Sequence, residues 1–389
     1  MQVFFRRKQR FSGEMRRGKK MRIGLLGFGT VGKGVYELVS RREDMEVAAV
    51  LCRRELELEG VRVTHDFTDI LEDASIDTVV EAIGGVHPAY EYVRAAILAG
   101  KNVATSNKAL MAHCYDDLVP LAAEKGVLLR CTASVGGGIG WLSELERVRR
   151  VETVTQVGGI MNGTCNYILD SMTRLGLDYG DALRQAQDLG YAEADPSTDV
   201  DGIDTWHKLI VSANIAFGAS LDMDTVPVSG IRGISGEDVE NFRNHGFVCK
   251  LVSHAQRGAD GVHAWVQPTL YPVGQPEAAV PMNYNLITLV GDVSGRQSFF
   301  GQGAGRYPTA YNVVQDCVDF TRGRGYYAPC GEKLRASNDA KLPWYVRGDC
   351  PFAVKERWGS GAVTQPVSVA DMHRWLKETP GAFAAAIAL

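Results

Sequence analysis

The stretch Gly27-Phe28-Gly29-Thr30-Val31-Gly32 follows the pattern G-x-G-x-x-G. It comes directly after an apolar run at residues 22–26 and directly before residues 31–40, whose apolar positions have helical spacing. In such a strand–turn–helix unit the first glycine permits the tight turn and the second lets the backbone approach a pyrophosphate. The third allows close packing of helix on strand, and the helix N-terminus faces the phosphates. The motif predicts a dinucleotide site, with a plain glycine-rich turn as the alternative.

Alternating strand and helix patterns continue around this motif from residue 21 to about residue 150. Repeated β-α units of this size imply a parallel sheet covered by helices on both faces. The sequence therefore predicts an α/β protein in which residues 21–150 form a doubly wound, Rossmann-type NAD(P)-binding domain. The other predicted strands of this domain lie at 47–51, 78–82, 102–105 and 127–131, and its other predicted helices at 67–72, 88–99 and 115–125.

The order of the patterns changes after residue 150. A strand pattern at 151–160 leads into a run of helices, which is followed by a run of strands. This order predicts an α+β domain at residues 151–304. A helix within 305–325 is expected to return to the first domain, and residues 331–389 form a short C-terminal extension. The predicted helices lie near 163–174, 181–189, 200–217 and 310–320, and the predicted strands at 247–253, 262–270 and 286–291.

The charge of the chain is distributed unevenly. The formal net charge is −4, but eight of the 42 Lys and Arg residues and only one of the 46 Asp and Glu residues lie in residues 1–20. Residues 21–389 therefore carry −11, which argues against a nucleic-acid-binding protein. We expect residues 1–20 to be a disordered basic extension. We interpret it as the product of an upstream start codon chosen in error, in preference to a disordered basic arm or an Arg-rich transit-like leader.

Simple features exclude two further classes of protein. No stretch reaches the roughly 18–20 apolar residues that a membrane helix needs, and the N-terminus lacks the apolar core of a secretory signal. The eight cysteines are scattered, with neither a C-x-x-C pair nor zinc-ligand spacing. Such cysteines are typical of reduced thiols in the cytoplasm. We therefore predict a cytoplasmic protein that binds no membrane and no structural zinc.

The end of the second strand bears on the choice of cofactor. NAD-binding domains usually place Asp or Glu there, where the carboxylate binds the ribose 2′-hydroxyl. Here residues 47–51 run into Cys52, Arg53 and Arg54. Two arginines suit a 2′-phosphate, because guanidinium groups form charge-assisted bidentate contacts with phosphate. The sequence predicts a preference for NADP over NAD, and an exposed basic turn is the alternative.

The densest chemical segment is GYAEADPSTDVDGIDTWHKL at residues 190–209. Five acids within twelve residues precede a single lysine, Lys208. A solvated acidic loop is one alternative interpretation. A calcium-binding EF-hand loop is another, but aligning Gly202 with the sixth loop position puts Lys208 at the twelfth, where a glutamate is required. The five acids are Glu193, Asp195, Asp199, Asp201 and Asp204.

Helical geometry makes a catalytic interpretation of this segment specific. Asp199 is a predicted N-cap for a helix that runs to about residue 217. Asp204 and Lys208 are four residues apart, so they share a face of that helix and can pair. A lysine among carboxylates keeps its proton at neutral pH and can donate it to a developing alkoxide, while the other carboxylates suit an ammonium-bearing substrate. Spacing alone leaves a surface salt-bridge network open.

Six blocks of this sequence, in order, resemble the homoserine dehydrogenase family over nearly all of residues 21–325. Family members reversibly reduce L-aspartate 4-semialdehyde to L-homoserine with NADPH or NADH, in threonine, methionine and isoleucine biosynthesis. The resemblance also implies a homodimer or higher homo-oligomer, built through the second domain. The blocks are GLLGFGTVGKGV (24–35), AGKNVATSNKAL (99–110), ASVGGGIG (133–140), MNGTCNYILDSM (161–172), LGYAEADPSTDVDGIDTWHKL (189–209) and FGQGAGRYPTAYNVVQDCVDF (300–320).

The resemblance also implies roles for individual residues. Lys208 matches the lysine that protonates the aldehyde oxygen, Asp204 matches the acid that positions it, and Lys108 matches a second catalytic lysine near the nicotinamide. The implied substrate-binding residues are Glu193, Asp199, Asp204, Tyr191, Asn162, Gly163 and Thr164. The implied cofactor-binding residues, beyond the glycine motif (27–32) and Arg53 and Arg54, are Ser106, Lys108, Gly303 and Gly305.

The family carries a monovalent cation, Na⁺ or K⁺, and Val135 and Gly137 match two of the backbone carbonyl positions that hold it. Thr132 stands where an acidic residue is common, so one negative ligand is missing. The extension at 331–389 is short for the ligand-sensing ACT domain that many members append, and we interpret it as a degenerate or truncated version. Another NAD(P)-dependent reductase of a small amino-acid aldehyde or keto acid, and a nucleotide sensor without turnover, are the competing functions.

Overall fold

The computed structural model describes residues 20–259, 261–324 and 331–388. The predicted basic extension therefore lies outside the described residues except for its last residue. No helix in the described part of the chain combines the length and the apolar character that crossing a bilayer requires.

The first domain is built on a six-stranded parallel sheet with the strand order β3-β2-β1-β4-β5-β6. The order reverses between β1 and β4, and ligands of doubly wound folds bind at the carboxyl ends of the strands at such a point. The strands are β1 (Met21–Leu26), β2 (Met45–Leu51), β3 (Arg62–Thr64), β4 (Thr78–Glu81), β5 (Asn102–Thr105) and β6 (Leu129–Arg130). The helices are α1 (Thr30–Val39), α2 (Thr68–Leu71), α3 (Ala89–Leu98), α4 (Lys108–Lys125) and α5 (Trp141–Val148), with a 3₁₀ turn at Thr132–Ser134. The predicted Rossmann-type sheet is confirmed.

Helix α4 begins seven residues before the predicted start at 115. Asn107 is its N-cap, and the Asn107 side chain accepts a hydrogen bond from the backbone N–H of Leu110 at 3.0 Å. The prediction was wrong because it followed the apolar run and overlooked this capping residue. The earlier start makes Lys108 the first residue of the helix.

The second domain and the C-terminal extension form one nine-stranded sheet, with the order β12-β11-β7-β9-β10-β19-β15-β17-β16. Its helices are α6 (Gly163–Leu175), α7 (Tyr179–Asp188), α8 (Ser197–Val200), α9 (Ile203–Phe217) and α10 (Gly236–Asn244). Its strands are β7 (Val154–Ile160), β9 (Phe247–Gly258), β10 (Gly261–Pro272), β11 (Tyr284–Gly291) and β12 (Gly295–Gln302), and β8 (Ser220–Leu221) lies apart before a 3₁₀ turn at Met223–Thr225. The extension adds β13 (Lys333–Leu334), β14 (Lys341–Leu342), β15 (Trp344–Arg347), β16 (Val354–Trp358), β17 (Gly361–Thr364), β18 (Val367–Ser368), α12 (Val369–Glu378) and β19 (Phe383–Ile387).

The extension is joined to the second domain by strand pairing. Thr269 and Leu270 of β10 lie opposite Ala386 and Ile387 of β19, in parallel register. Strand β15 then pairs antiparallel with β19, so the sheet continues outward through residues of the extension. These residues therefore complete the sheet of the second domain.

Helix α11 (Arg306–Thr321) packs against the first domain. Ala310, Val313 and Cys317 are fully buried in the same apolar cluster as Met21 of β1 and Val35 of α1. A Cβ atom added to Gly34 of α1 would lie 2.9 Å from the Cβ of Ala310, so the two helices are in close contact. The chain thus returns from the second domain to the edge of the dinucleotide fold.

Candidate active site

Each of the three glycines in G-x-G-x-x-G has a separate structural reason. Gly27 has φ +94°, which favours glycine, and an added Cβ would lie 2.7 Å from the carbonyl oxygen of Ala82. An added Cβ at Gly32 would lie 2.1 Å from the carbonyl oxygen of Gly27. Gly29, the N-cap of α1, has open space beyond it, because an added Cβ would meet nothing within 4 Å. This geometry leaves room for a pyrophosphate at the N-terminus of α1, and the turn fits a dinucleotide.

The two arginines after β2 lie beside the glycine turn. The Arg54 guanidinium donates a hydrogen bond from Nη2 to the carbonyl oxygen of Phe28 at 2.5 Å. Arg53 and Arg54 are both exposed, so their charges are accessible from solvent. The structure therefore places positive charge where the sequence predicts an adenosine 2′-phosphate.

A second glycine-rich turn approaches from the far end of the chain. An added Cβ at Gly137 would lie 2.6 Å from the carbonyl oxygen of Gly303, and the N–H of Gly138 donates to the carbonyl oxygen of Gln302 at 3.2 Å. Gly305, with φ +126°, is the N-cap of α11. Val135, at the start of the 135–140 loop, is fully buried. The structure thus brings the predicted cation loop and the second cofactor turn into direct contact.

The centre of the site is one carboxylate shared by two lysines. Asp204 Oδ1 lies 2.7 Å from Lys108 Nζ, and Asp204 Oδ2 lies 2.8 Å from Lys208 Nζ. Lys208 Nζ also donates to the carbonyl oxygen of Met161 at 2.7 Å. Lys108 is the first residue of α4, whereas Asp204 and Lys208 lie on α9, so the ion pairs join the two domains. Spacing had left an exposed salt-bridge network open, but Asp204 is 3% and Lys208 7% exposed.

The two ammonium groups determine the ionisation of Asp204. Burial alone would raise its pKa, but the charges of Lys108 and Lys208 and their hydrogen bonds outweigh burial and hold the pKa of Asp204 well below its usual range. In return, the charge of Asp204 raises the pKa of Lys108 against the opposing effect of desolvation. The carboxylate is therefore ionised, and Lys108 carries a proton, throughout the neutral range.

Asn162 connects this group to Asp199. The Asn162 Nδ2 donates to Asp199 Oδ1 at 2.7 Å and to Asp204 Oδ2 at 2.8 Å, while Oδ1 caps α6 by accepting from the N–H of Cys165. Burial and the neighbouring charge of Asp204 raise the pKa of Asp199. An added Cβ at Gly163 would lie 2.6 Å from the carbonyl oxygen of Asn283, so the backbone is close-packed here.

The prediction that Asp199 caps the long helix was wrong. Asp199 lies in α8, a single turn, and α9 begins only after Gly202. Gly202 has φ +87°, a left-handed conformation that ends the first turn and redirects the chain. As a result, the Asp199 side chain points to Asn162 rather than to the start of α9.

The other residues predicted to bind the substrate are Thr164, Tyr191 and Glu193. Thr164 donates from Oγ1 to the carbonyl oxygen of Tyr191 at 2.6 Å, and the ring of Tyr191 packs edge-on against Tyr167 at 5.1 Å. Glu193 is exposed, yet its charge is close enough to contribute to the raised pKa of Lys108. Glu193 thus adds a solvent-accessible carboxylate near the lysine–aspartate cluster.

Sequence reasoning missed Glu81, a fully buried carboxylate at the end of β4. Its oxygens accept from the hydroxyl of Thr105 at 2.5 Å, from the N–H of Ile83 at 2.8 Å and from Nδ2 of Asn107 at 3.4 Å. Ser106 follows Thr105 and donates its N–H to the carbonyl oxygen of Glu81 at 3.3 Å. Glu81 therefore fixes the turn after β4 and the segment that carries Lys108. The available signal was a charged residue that ends the apolar strand TVVE.

Two family models match the chain. One, described as homoserine dehydrogenase, covers residues 141–318, and the other, described as the NAD-binding domain of homoserine dehydrogenase, covers residues 27–131. The matched ranges contain the lysine–aspartate cluster and the glycine turn, respectively.

Several relatives and solved structures are similar along most of the chain. A homoserine dehydrogenase of Bacillus subtilis is 35% identical over 364 residues, which cover 88% of this chain and 83% of the relative. One of Corynebacterium glutamicum is 38% identical over 342 residues, covering 82% and 76%. The crystal structure of a homoserine dehydrogenase from Thiobacillus denitrificans superposes with a TM-score of 0.87 at 29% identity, covering 95% of this chain and 98% of the other.

Proposed function

This chain belongs to the homoserine dehydrogenase family, and on that premise we propose how its own residues reduce L-aspartate 4-semialdehyde to L-homoserine. The observation that carries the proposal is the Asp204 carboxylate held between Lys108 and Lys208. This group lies where the two domains meet, so a cofactor on the first domain and a substrate on the second can both reach it. A nucleotide sensor without turnover has no need of such a buried proton donor.

The lysine cluster supplies the proton of the reaction. When NADPH is bound, its nicotinamide supplies the hydride that adds to the aldehyde carbon. The carbonyl π electrons then move to oxygen, and Lys208 donates a proton from Nζ to the resulting alkoxide. Asp204 and the carbonyl oxygen of Met161 orient Nζ by accepting its other hydrogens. In the oxidation of homoserine, the neutral Lys208 amine takes the hydroxyl proton.

The carboxylates near the lysine–aspartate cluster select an amino-acid substrate. Glu193 and Asp199 provide carboxylates for the α-ammonium group, and Asn162, Gly163, Thr164 and Tyr191 shape the pocket around it. Asn162 links Asp199 to Asp204 by hydrogen bonds, and Thr164 donates separately to the backbone of Tyr191. An aldehyde that lacks the ammonium group would leave these carboxylates without a counter-charge.

We expect the wild-type enzyme to oxidise NADPH with L-aspartate 4-semialdehyde and to discriminate against succinate semialdehyde, which differs by the missing amino group. The expected loss in kcat/KM is about 10²-fold or more, because a charged group of the site loses its partner. Steady-state NADPH oxidation with both aldehydes measures the ratio, and chromatography identifies the product as L-homoserine. Equal kcat/KM values would contradict the substrate assignment and favour a less specific aldehyde reductase.

We further propose that the enzyme prefers NADPH to NADH through Arg53 and Arg54. With Arg53→Asp, the KM for NADPH should rise about 10-fold or more while that for NADH changes little, because one charge-assisted phosphate contact is lost and a repelling charge is added. Arg184→Asp, at an exposed arginine of α7, is the matched control. Equal wild-type KM values for the two cofactors would contradict the preference.

The proposal extends to the setting of the enzyme. By relationship to the family, we propose a homodimer or higher homo-oligomer formed through the second domain, in the cytoplasm, in the biosynthesis of threonine, methionine and isoleucine. The excess of acidic residues in 21–389 supports the prediction that the protein does not bind nucleic acid.

A further inference from the structure

The loop at residues 135–140 is where resemblance to the family implies a monovalent cation, and two of its carbonyl groups already share a side-chain donor. The side chain of Asn312 on α11 donates from Nδ2 to the carbonyl oxygen of Gly137 and, at 3.2 Å, to that of Ile139. Asn312 is 2% exposed, so the amide is enclosed by protein. A cation held by both of these oxygens would have to take the position of Nδ2.

The charges around the loop also fail to fit a cation. Hard cations are bound by clusters of oxygen ligands in which a carboxylate supplies negative charge. Thr132, before the loop, is neutral, and it donates from its N–H (2.9 Å) and its hydroxyl (2.5 Å) to Asp316. The Asp316 carboxylate is itself paired with the buried Arg130 guanidinium at 2.9 Å. Both oxygens of the Asp316 carboxylate therefore already have donors within the protein, in Thr132 and Arg130.

We infer that the side-chain amide of Asn312 takes the place of the monovalent cation, so that this enzyme folds and turns over without Na⁺ or K⁺. An amide NH₂ group can satisfy two carbonyl oxygens at once, as a small cation does, and it brings no net charge that a carboxylate must balance. This inference concerns the structure of the 135–140 loop, so it does not depend on which substrate the enzyme reduces.

The loop connects the cofactor turn to the catalytic helix, which gives Asn312 a positioning role. Gly137 packs directly on Gly303 of the cofactor turn. After Ile139 the chain enters α5, where the indole N–H of Trp141 donates to the hydroxyl of Ser212 at 2.9 Å. Ser212 lies one turn after Lys208 on α9 and donates to its carbonyl oxygen at 2.7 Å. Loss of the amide should therefore loosen both NADPH binding and the placement of Lys208.

The test compares salts at equal ionic strength. For the wild type, the melting temperature and kcat should be the same in NaCl, KCl and choline chloride. Asn312→Ala should lower the melting temperature by about 5 °C in choline chloride, because two buried carbonyl groups lose their donor, and should raise the KM for NADPH. Gln315→Ala, at a half-buried amide elsewhere on α11, is the control and should melt like the wild type.

A second variant tests whether the amide and the cation position coincide. Asn312→Asp has nearly the same shape, but it turns a carboxylate oxygen toward two carbonyl oxygens, and this repulsion is relieved by a bound cation. Its melting temperature should therefore rise in KCl or NaCl relative to choline chloride. Identical melting of this variant in all three salts would overturn the inference, as would a saturable increase in wild-type melting temperature with Na⁺ or K⁺. If Asn312→Asp does not fold, the melting temperatures of the wild type and Asn312→Ala in the three salts test the inference. Melting does not depend on turnover, so failure here is distinct from failure of the proposed reaction.

Discussion

Replacement of Lys208 by alanine should reduce kcat for aldehyde reduction by about 10²–10⁴-fold, the usual contribution of a general acid. The KM for NADPH should change little, because Lys208 contacts Asp204 and Met161 rather than the glycine turn. NADPH oxidation at saturating aldehyde measures kcat directly.

The effect of Lys208→Ala must be separated from a loss of structure. Lys208 is buried, so its removal leaves Asp204 with one fewer cationic partner and a small cavity. Circular dichroism and NADPH binding by the variant check that the fold and the cofactor site persist. Lys125→Ala, at the end of α4, is the control. Among the described residues, the ion-pair partner of Lys125 is the neighbouring Glu124, at 3.6 Å. A variant that retains a tenth or more of wild-type kcat would exclude Lys208 as the proton donor.

Replacement of Asp204 by asparagine should affect both stability and turnover. The change leaves the ammonium groups of Lys108 and Lys208 close together without their shared carboxylate. Removing one partner of a buried ion pair costs about 3–5 kcal/mol of unfolding free energy, and kcat should fall by about 10²-fold or more as Lys208 loses its orientation. Urea unfolding and steady-state kinetics measure the two effects. Asp201→Asn, at a half-buried acid of the same segment that pairs with Arg232, is the control.

The stability difference between wild type and Asp204→Asn should depend on pH. The pKa of Asp204 is lowered in the folded protein, so its contribution is present above its unfolded pKa and is lost as pH falls through the folded value. The pKa of Lys108 is raised, so its contribution is present below its unfolded pKa and is lost as pH rises through the folded value. The difference should therefore be largest near neutral pH. A difference that is constant from acid to alkaline pH would contradict the shared-carboxylate account.

Those parts of the site that depend on local geometry could be predicted from the sequence. The glycine turn follows from backbone constraints within six residues, and the pairing of Asp204 with Lys208 follows from the helical repeat. The preference for a parallel sheet likewise follows from the β-α alternation. In each of these cases the interacting groups lie within a few residues or one repeating unit of each other.

Other features depend on contacts between distant parts of the chain, which the spacing of residues in the sequence does not predict. The approach of Lys108 to Asp204 joins two domains, and only the family resemblance placed Lys108 in the site. The role of Glu81 depends on Thr105 and Asn107 of the next strand and helix, so the sequence alone suggested only a strand end. Gly202 shows a local limit as well, because a single left-handed residue moved the helix start and redirected Asp199.

We propose that Lys208 acts as a proton donor and not only as a fixed positive charge. The most direct test is kcat of Lys208→Arg, measured beside Lys208→Ala. Arginine keeps the charge and can still pair with Asp204, but its guanidinium holds its proton too tightly to donate it. Lys208→Arg should therefore be as slow as Lys208→Ala, about 10²–10⁴-fold below wild type, while it binds NADPH normally. A Lys208→Arg enzyme with kcat near that of the wild type would contradict the proposal.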